Sequence, residues 1–305
     1  MAISGFININ KKSGPTSHDM VVKVRESFVE KVKVGHLGTL DPLAEGVLPI
    51  AVGSATRTFP YFLELRKSYL VTMLFGKVTE TQDISGKVLE ENSPPILDLV
   101  ECQKFLDNFL GKTLQSPPMF SALSIRGKRL YELARDGIEV ERKKRNIEIF
   151  GIKAKSISGS YLEFQIECSR GTYVRTLCHD LGKVQGSGGC MVKLLRTSLG
   201  PFDINNSISI DEFTSFCKSK SISNVLVSLS DALAHMPSMS FSDVEEDRLR
   251  KGIALNCSVE SIDFLEKDEF RMLNSNGKLI GIGKIVSEIS SSSKEIEIRP
   301  QKIFN

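Results

Sequence analysis

The chain has 305 residues, 41% hydrophobic and 25% charged, with a formal net charge of +3. That length suits a large domain with a smaller second one, and the composition excludes wholesale disorder. No stretch reaches the ~20 apolar residues needed to cross a bilayer, and Met1 to Phe6 has neither a charged start nor a long apolar run, so a cytoplasmic protein is expected.

Phe6 to Asn10 alternates Ile7 and Ile9 with asparagines and reads as a short strand, and Lys11 to Pro15 as a turn. A helix follows, with Thr16 or Ser17 able to cap it and Val21, Val24 and Phe28 at helical spacing. Val34 to Pro42 holds two glycines and an Asp-Pro step and is expected to be a loop. Asp41-Pro42 taken alone would be a helix N-cap with proline at the first helical position. Val47 to Val52 is apolar enough for a buried strand, and Tyr69 to Phe75 alternates as a second one.

Leu99 to Phe109 has helical spacing, with Gly111 placed to close it as a left-handed cap. Between Arg126 and Arg145 the bases Arg126, Lys128, Arg129, Arg135, Arg142, Lys143, Lys144 and Arg145 outnumber four acids, a surplus able to pair with phosphates. Leu162 to Cys168 alternates as a half-buried strand, and Val174 to Leu181 follows as a helix that Thr172 could cap and Gly182 could end. From about Pro237 short apolar runs recur, among them Ile262-Asp263-Phe264, with Asn276-Gly277 as a hairpin turn and Ser290 to Ser293 as a loop.

Strand and helix patterns mix without a βαβ rhythm. The expected fold is therefore α+β, a large domain on a mixed, largely antiparallel sheet over residues 1–236, followed by a small β domain over 237–305. Six cysteines without a CxxC pair or a Cys/His cluster make neither a recognisable zinc site nor a disulfide framework, and reduced, mostly buried thiols are expected. His36, Asp41, Tyr69, Tyr173 and Arg175 all fall in loops or at element ends, from which side chains can converge on one cleft.

The order of segments carries further information: Gly35-His36-Leu37-Gly38-Thr39-Leu40-Asp41-Pro42-Leu43-Ala44-Glu45-Gly46, then Lys67-Ser68-Tyr69, then Gln115-Ser116-Pro117-Pro118-Met119-Phe120-Ser121-Ala122, then Gly127 to Gly137, then Cys168-Ser169-Arg170-Gly171-Thr172-Tyr173-Val174-Arg175. Together they resemble the TruB family, which converts uridine 55 in the T-arm of tRNA to pseudouridine. The resemblance covers residues ~5 to ~200, where any one segment alone would be weak evidence.

The resemblance implies a role for each matching position. Asp41 matches an aspartate that attacks the ribose C1′ or assists glycal formation. Arg175 matches an arginine that pairs with it and keeps it charged. Tyr69 matches a tyrosine stacked on the flipped uracil near C5, and His36 a histidine that helps to displace the target nucleotide. Tyr173 and Leu195 match residues shaping the uracil pocket, and Lys11 a basic residue near the substrate end of the first strand. Residues 119–147 match an arm that grips the T-loop, and the C-terminal segment a PUA-type RNA-binding barrel. No metal or organic cofactor, no membrane and no obligatory protein partner is implied; a monomer that also assists tRNA folding is.

Three positions depart from the family's pattern: Lys12 for a proline, Phe120 for a tyrosine and Ser124 for a lysine. Two other readings share these residues. One is a non-catalytic RNA-binding or tRNA-folding protein, for which basic and aromatic surface would suffice. The other is a guide-dependent pseudouridine synthase working inside a larger assembly of RNA and protein.

Overall fold

The computed structural model describes residues 3–125, 127–258, 269–290 and 295–304; Arg126, the Ile262-Asp263-Phe264 run and Ser291 to Ser293 lie outside the described residues. The chain forms two compact units. One comprises Asn8–Ile50 and Phe59–Asn224, the other Met1–Ile7, Ala51–Thr58 and Val225–Asn305. The boundary expected at Pro237 falls inside the second unit, which begins upstream of it and also takes in two N-terminal segments.

The first unit is built on a mixed sheet that takes, in order, residues 8–11 of strand Gly5–Lys11, residues 45–50 of strand Glu45–Val52, then Gly189–Leu199, Lys67–Phe75, Tyr161–Cys168, Arg145–Ser158 and Gly111–Gln115. Glu45–Val52 runs parallel to Gly189–Leu199, and the four pairings that follow are antiparallel. Period-two alternation decides which residues enter the core. Tyr69, Val71, Met73 and Phe75 are buried along one strand, and Leu162, Phe164, Ile166 and Cys168 along its neighbour. Each such aliphatic or phenyl side chain contributes about 1.5–3 kcal/mol on burial.

Helix Ser17–Glu26 starts at a capping box in which Asp19 N–H donates to Thr16 Oγ1 and Thr16 N–H donates back to Asp19 Oδ2. Helix Leu99–Asp107 ends at Asn108 in a right-handed conformation. Gly111, with φ +85°, opens the next strand and does not close this helix.

Helix Val174–Gln185 also differs from expectation. Tyr173, not Thr172, holds the N-cap position, and the helix runs through Gly182 to a left-handed cap at Gly186. Gly182 serves a different end: a Cβ there would overlap the backbone of Gly188 and Gly189, so its small size lets the helix sit directly against the start of strand Gly189–Leu199.

The second unit holds a five-stranded sheet in the order Ser238–Phe241, Glu269–Asn274, Leu279–Ser290, Glu295–Ile303, Leu255–Ser258. Phe241, Leu249, Leu255, Phe270, Met272, Ile280, Ile296 and Ile298 form its core. The Asn276-Gly277 turn is present, with Gly277 at φ +74° and its N–H donated to Asn274 O. This is the small β domain expected at the C-terminus. Among the described residues no helix is long and apolar enough to cross a membrane.

Candidate active site

The first unit contains a cleft of about 450 Å³ between the sheet, the start of helix Val174–Gln185 and the 121–123 segment. Asp41, Tyr69, Tyr173 and Arg175 line it; His36, Lys11 and Leu195 do not. Its volume is that of a small-molecule pocket, enough for a nucleotide-sized group.

No helix follows Asp41-Pro42. A turn closed by Ala44 N–H on Asp41 O, 3.0 Å, carries the carboxylate instead. Ser17 clamps the preceding residue from helix Ser17–Glu26, its hydroxyl donating to Leu40 O and accepting from Leu40 N–H. Beneath the turn lies Lys11. Its ammonium is fully buried and donates to Lys12 O, Pro42 O and Ala44 O at 3.0, 3.1 and 2.6 Å. Expected near the substrate, Lys11 has committed its three donors to backbone carbonyls, two of them in the turn that carries Asp41. Burial pushes its pKa down to about 8, against the pull of Asp41 and Glu45.

Arg175 reaches Asp41 from the first turn of its helix, Nε to Oδ2 3.0 Å. Its Nη1 donates to Thr81 O and its Nη2 to Phe120 O, so the guanidinium is fixed on three sides. Because Phe120 acts here through its carbonyl, phenylalanine in place of tyrosine leaves this contact intact. On the far side Arg175 Nη1 lies 3.8 Å from Asp83 Oδ2. Asp83 is itself buried, accepting from Thr81 Oγ1, Ser85 N–H and Ser85 Oγ. The loop that presents it turns through Gln82 at φ +65°, where Thr176 Oγ1 donates to the Gln82 side chain.

Burial dominates the Asp41 carboxyl and raises its pKa; Arg175 opposes this, Asp83 adds to it and Lys11 opposes it. The arginine therefore restrains an upward shift and does not produce a downward one. Asp41 nevertheless keeps 39% of its side chain open while Arg175 keeps 5%, so the carboxylate faces the cleft and the guanidinium backs it.

Tyr69 sits opposite Arg196 in the register of neighbouring strands, and both line the cleft. Burial pushes the Tyr69 phenol up to about 12. Tyr173 is held by its backbone, its N–H donating to Gln115 Oε1 and its carbonyl accepting from Gln115 Nε2. The strand pleat places Leu194 and Arg196 on the cleft face, so Leu195, expected in the pocket, does not line the cleft. His36 ends the short strand Val34–His36, and its Nδ1 accepts from Gly38 N–H at 3.3 Å. Burial, then Arg196 and His18, lower its pKa, which favours the neutral imidazole.

Asp83 and Arg196 escape a reading of the sequence. Thr81-Gln82-Asp83-Ile84-Ser85-Gly86 has the composition of an ordinary turn. Arg196 left one usable signal, a charge falling in phase with Leu194 on the buried face of an alternating strand. Among the described residues, no three His, Cys, Asp or Glu side chains gather as metal ligands, and the six cysteines are free, four of them buried.

Comparison with known proteins gives the family. Residues 25–174 match the TruB family pseudouridylate synthase N-terminal domain and residues 175–234 the tRNA pseudouridylate synthase B C-terminal domain. Proteins named tRNA pseudouridine synthase B are similar over most of their length: 43% identical in Geobacter sulfurreducens, covering 82% of each chain; 37% in Syntrophomonas wolfei, covering 98% of each; 39% in Clostridium kluyveri, covering 99% of this chain and 100% of the relative. Among solved structures, a Cbf5-Nop10-Gar1 complex aligns with a TM-score of 0.76 at 24% identity, over 99% of this chain and 85% of that one. An H/ACA RNP bound to a substrate RNA containing 2′-deoxyuridine aligns at 0.74 and 22%, with the same coverage, and at that identity the likeness is one of fold. On these matches, the chain belongs to the TruB family of pseudouridylate synthases.

Proposed function

We propose that this chain isomerises uridine 55 in the T-loop of tRNA to pseudouridine, with Asp41 as the catalytic carboxylate. The observation that carries the reading is the Asp41–Arg175 pair, at 3.0 Å, open on its carboxylate side to a nucleotide-sized cleft walled by Tyr69. The reaction breaks the C1′–N1 bond, turns the uracil, forms a C1′–C5 bond and releases the C5 proton to restore the ring, while N1, which kept the electron pair of the broken bond, takes up a proton. Atoms and electrons balance without a second substrate, and no metal or organic cofactor takes part. What the site must supply is an ionised carboxylate against the ribose and walls that retain the detached base.

The target base reaches the cleft by flipping, which costs a few kcal/mol and least in a loop. Neutral His36, next to the cleft-lining Leu37–Asp41 segment, helps to fill the space that the base vacates. Leu194 and Tyr173 bound the uracil. Residues 119–147 grip the T-arm through Lys143, Lys144 and Arg145, which are exposed, and the C-terminal unit adds RNA contact. The protein acts in the cytoplasm as a monomer, without a guide RNA.

A guide-dependent enzyme is the weaker reading, because the solved H/ACA RNP and Cbf5-Nop10-Gar1 structures are 22–24% identical to the chain, against 37–43% for proteins named tRNA pseudouridine synthase B. Incubating the purified chain with unmodified tRNA and mapping modified positions tests the proposal. Pseudouridine at position 55 alone supports it, and no modification without a guide RNA refutes it.

A further inference from the structure

Ser121 is 5% exposed and lines the cleft, and among the described residues its Oγ has no hydrogen-bond partner. A buried hydroxyl almost always has one, because a polar group taken out of water without a partner destabilises the fold. Its polar neighbour on the cleft wall is the Tyr173 phenol, which falls short of hydrogen-bond geometry with it. Thr172 Oγ1 also lacks a partner and lines the cleft, but it belongs to a half-buried residue beside the Cys168 thiol.

The backbone around Ser121 is fixed. Its N–H donates to Met119 O at 2.9 Å, and its carbonyl accepts from Tyr131 N–H at 3.2 Å. The preceding carbonyl, Phe120 O, takes Arg175 Nη2 at 2.8 Å, and Arg175 Nε holds Asp41 at 3.0 Å. The unpaired hydroxyl thus sits one residue from the chain of contacts that aims the carboxylate. Stability alone would favour alanine here, which has the same backbone and no stranded oxygen.

The isomerisation has a use for a donor on this wall. Between bond cleavage and bond formation the uracil is held by no covalent bond, and exchanging N1 for C5 at C1′ takes a half-turn about the ring's C6–N3 axis. That turn also exchanges O2 with O4. A hydroxyl beside the ring therefore meets a carbonyl oxygen before and after the turn, and a serine hydroxyl rotates to follow it. We infer that Ser121 holds the substrate: its hydroxyl donates a hydrogen bond to a carbonyl oxygen of the detached uracil. This rests on the function proposed above.

Ser121→Ala tests the inference with and without RNA. In the free protein the variant loses an unpaired oxygen and no hydrogen bond, so Tm stays within about 2 °C of wild type or rises. A larger fall shows that the hydroxyl is engaged inside the protein and overturns the inference. On an unmodified T-arm hairpin, single-turnover conversion slows by about 5-fold or more while affinity holds within about 3-fold. A smaller loss of rate overturns the inference.

A change in the substrate separates this bond from a general disturbance of the wall. Hairpins carrying 2-thiouridine or 4-thiouridine at the target each replace one carbonyl oxygen by sulfur, a weaker acceptor. The slowing caused by Ser121→Ala shrinks to within about 2-fold on at least one of them, since the bond it removes is already weakened. The same slowing on uridine and on both thio substrates overturns the inference. Wild-type protein that makes no pseudouridine refutes the proposed function and the inference with it; normal wild-type conversion with no effect of Ser121→Ala refutes the inference alone.

Discussion

Arg175 stands between two carboxylates, with Asp41 Oδ2 3.0 Å from its Nε and Asp83 Oδ2 3.8 Å from its Nη1. The nearer carboxylate is open to the cleft; the farther one is buried, its Oδ1 accepting from Thr81 and Ser85. Two negative charges on one guanidinium leave a surplus that the buried Lys11 ammonium offsets. The site is thus a four-charge cluster in which only Asp41 is presented to a substrate.

Asp41→Asn is the direct test of the carboxylate. The amide keeps the shape and can stay beside Arg175, but it can neither attack C1′ nor stabilise developing positive charge there. Pseudouridine formation should fall by at least about 10³-fold, with hairpin affinity within a few-fold of wild type. Conversion at the wild-type rate would remove Asp41 from the mechanism.

The pH dependence follows from the direction of the Asp41 shift. The reactive form is deprotonated, so the acidic limb of kcat/KM lies above the ordinary carboxylate value of 3.8. Arg175→Gln removes the charge that restrains the shift and moves the limb to higher pH. Asp83→Asn removes a like charge and moves it lower. Stability runs the opposite way: between 3.8 and the raised value the folded chain binds more protons than the unfolded one, so stability falls as pH rises through that window. Asp41→Asn should accordingly be no less stable than wild type at neutral pH, read by denaturant midpoints. A destabilised Asp41→Asn protein would mean that the Arg175 contact outweighs burial.

Asp41, Tyr69, Tyr173 and Arg175 were legible because catalysis puts polar side chains at element ends, where a segment's order and spacing expose them. The alternating strands were legible for a similar reason, since their period is local. What was not legible depends on contacts between segments distant in sequence. Lys11 looks like a surface cation until the Pro42 and Ala44 carbonyls fold over it. Asp83 is a turn residue until Met191 pairs with its loop, where Ile84 N–H donates to Met191 O. Gly182 reads as a helix stop because its reason for being small lies in Gly188 and Gly189, across the packing interface. Leu195 faces away from the cleft that Leu194 lines, because a step of one residue reverses the face in a strand.

Lys11→Met separates the positioning of the Asp41 turn from binding. Methionine fills much of the same space but leaves three carbonyls without their donor, and the turn relaxes. The turnover rate should fall by about 10- to 100-fold while hairpin affinity stays within a few-fold. Linkage gives an independent signature. The folded pKa is about 8 against 10.5 unfolded, so folding releases a proton between those values and the wild type gains stability as pH rises through that window. The variant lacks this gain. Parallel stability profiles for the two proteins between pH 8 and 10.5 would show that Lys11 is not shifted.

The arm can be tested through salt. Lys143, Lys144 and Arg145 are exposed, and Arg145 also lines the cleft at the edge of the strand that pairs with Gly111–Gln115. If each neutralises one phosphate of the T-arm, every contact releases counterions and adds about 0.7–0.9 to the slope of log affinity against log salt. Replacing all three by alanine should lower that slope by about 2 to 3 and weaken binding most at low salt. Saturating hairpin should then restore most of the turnover rate, because Asp41, Arg175 and Tyr69 are untouched; a slope unchanged by the triple replacement would place the T-arm elsewhere on the protein.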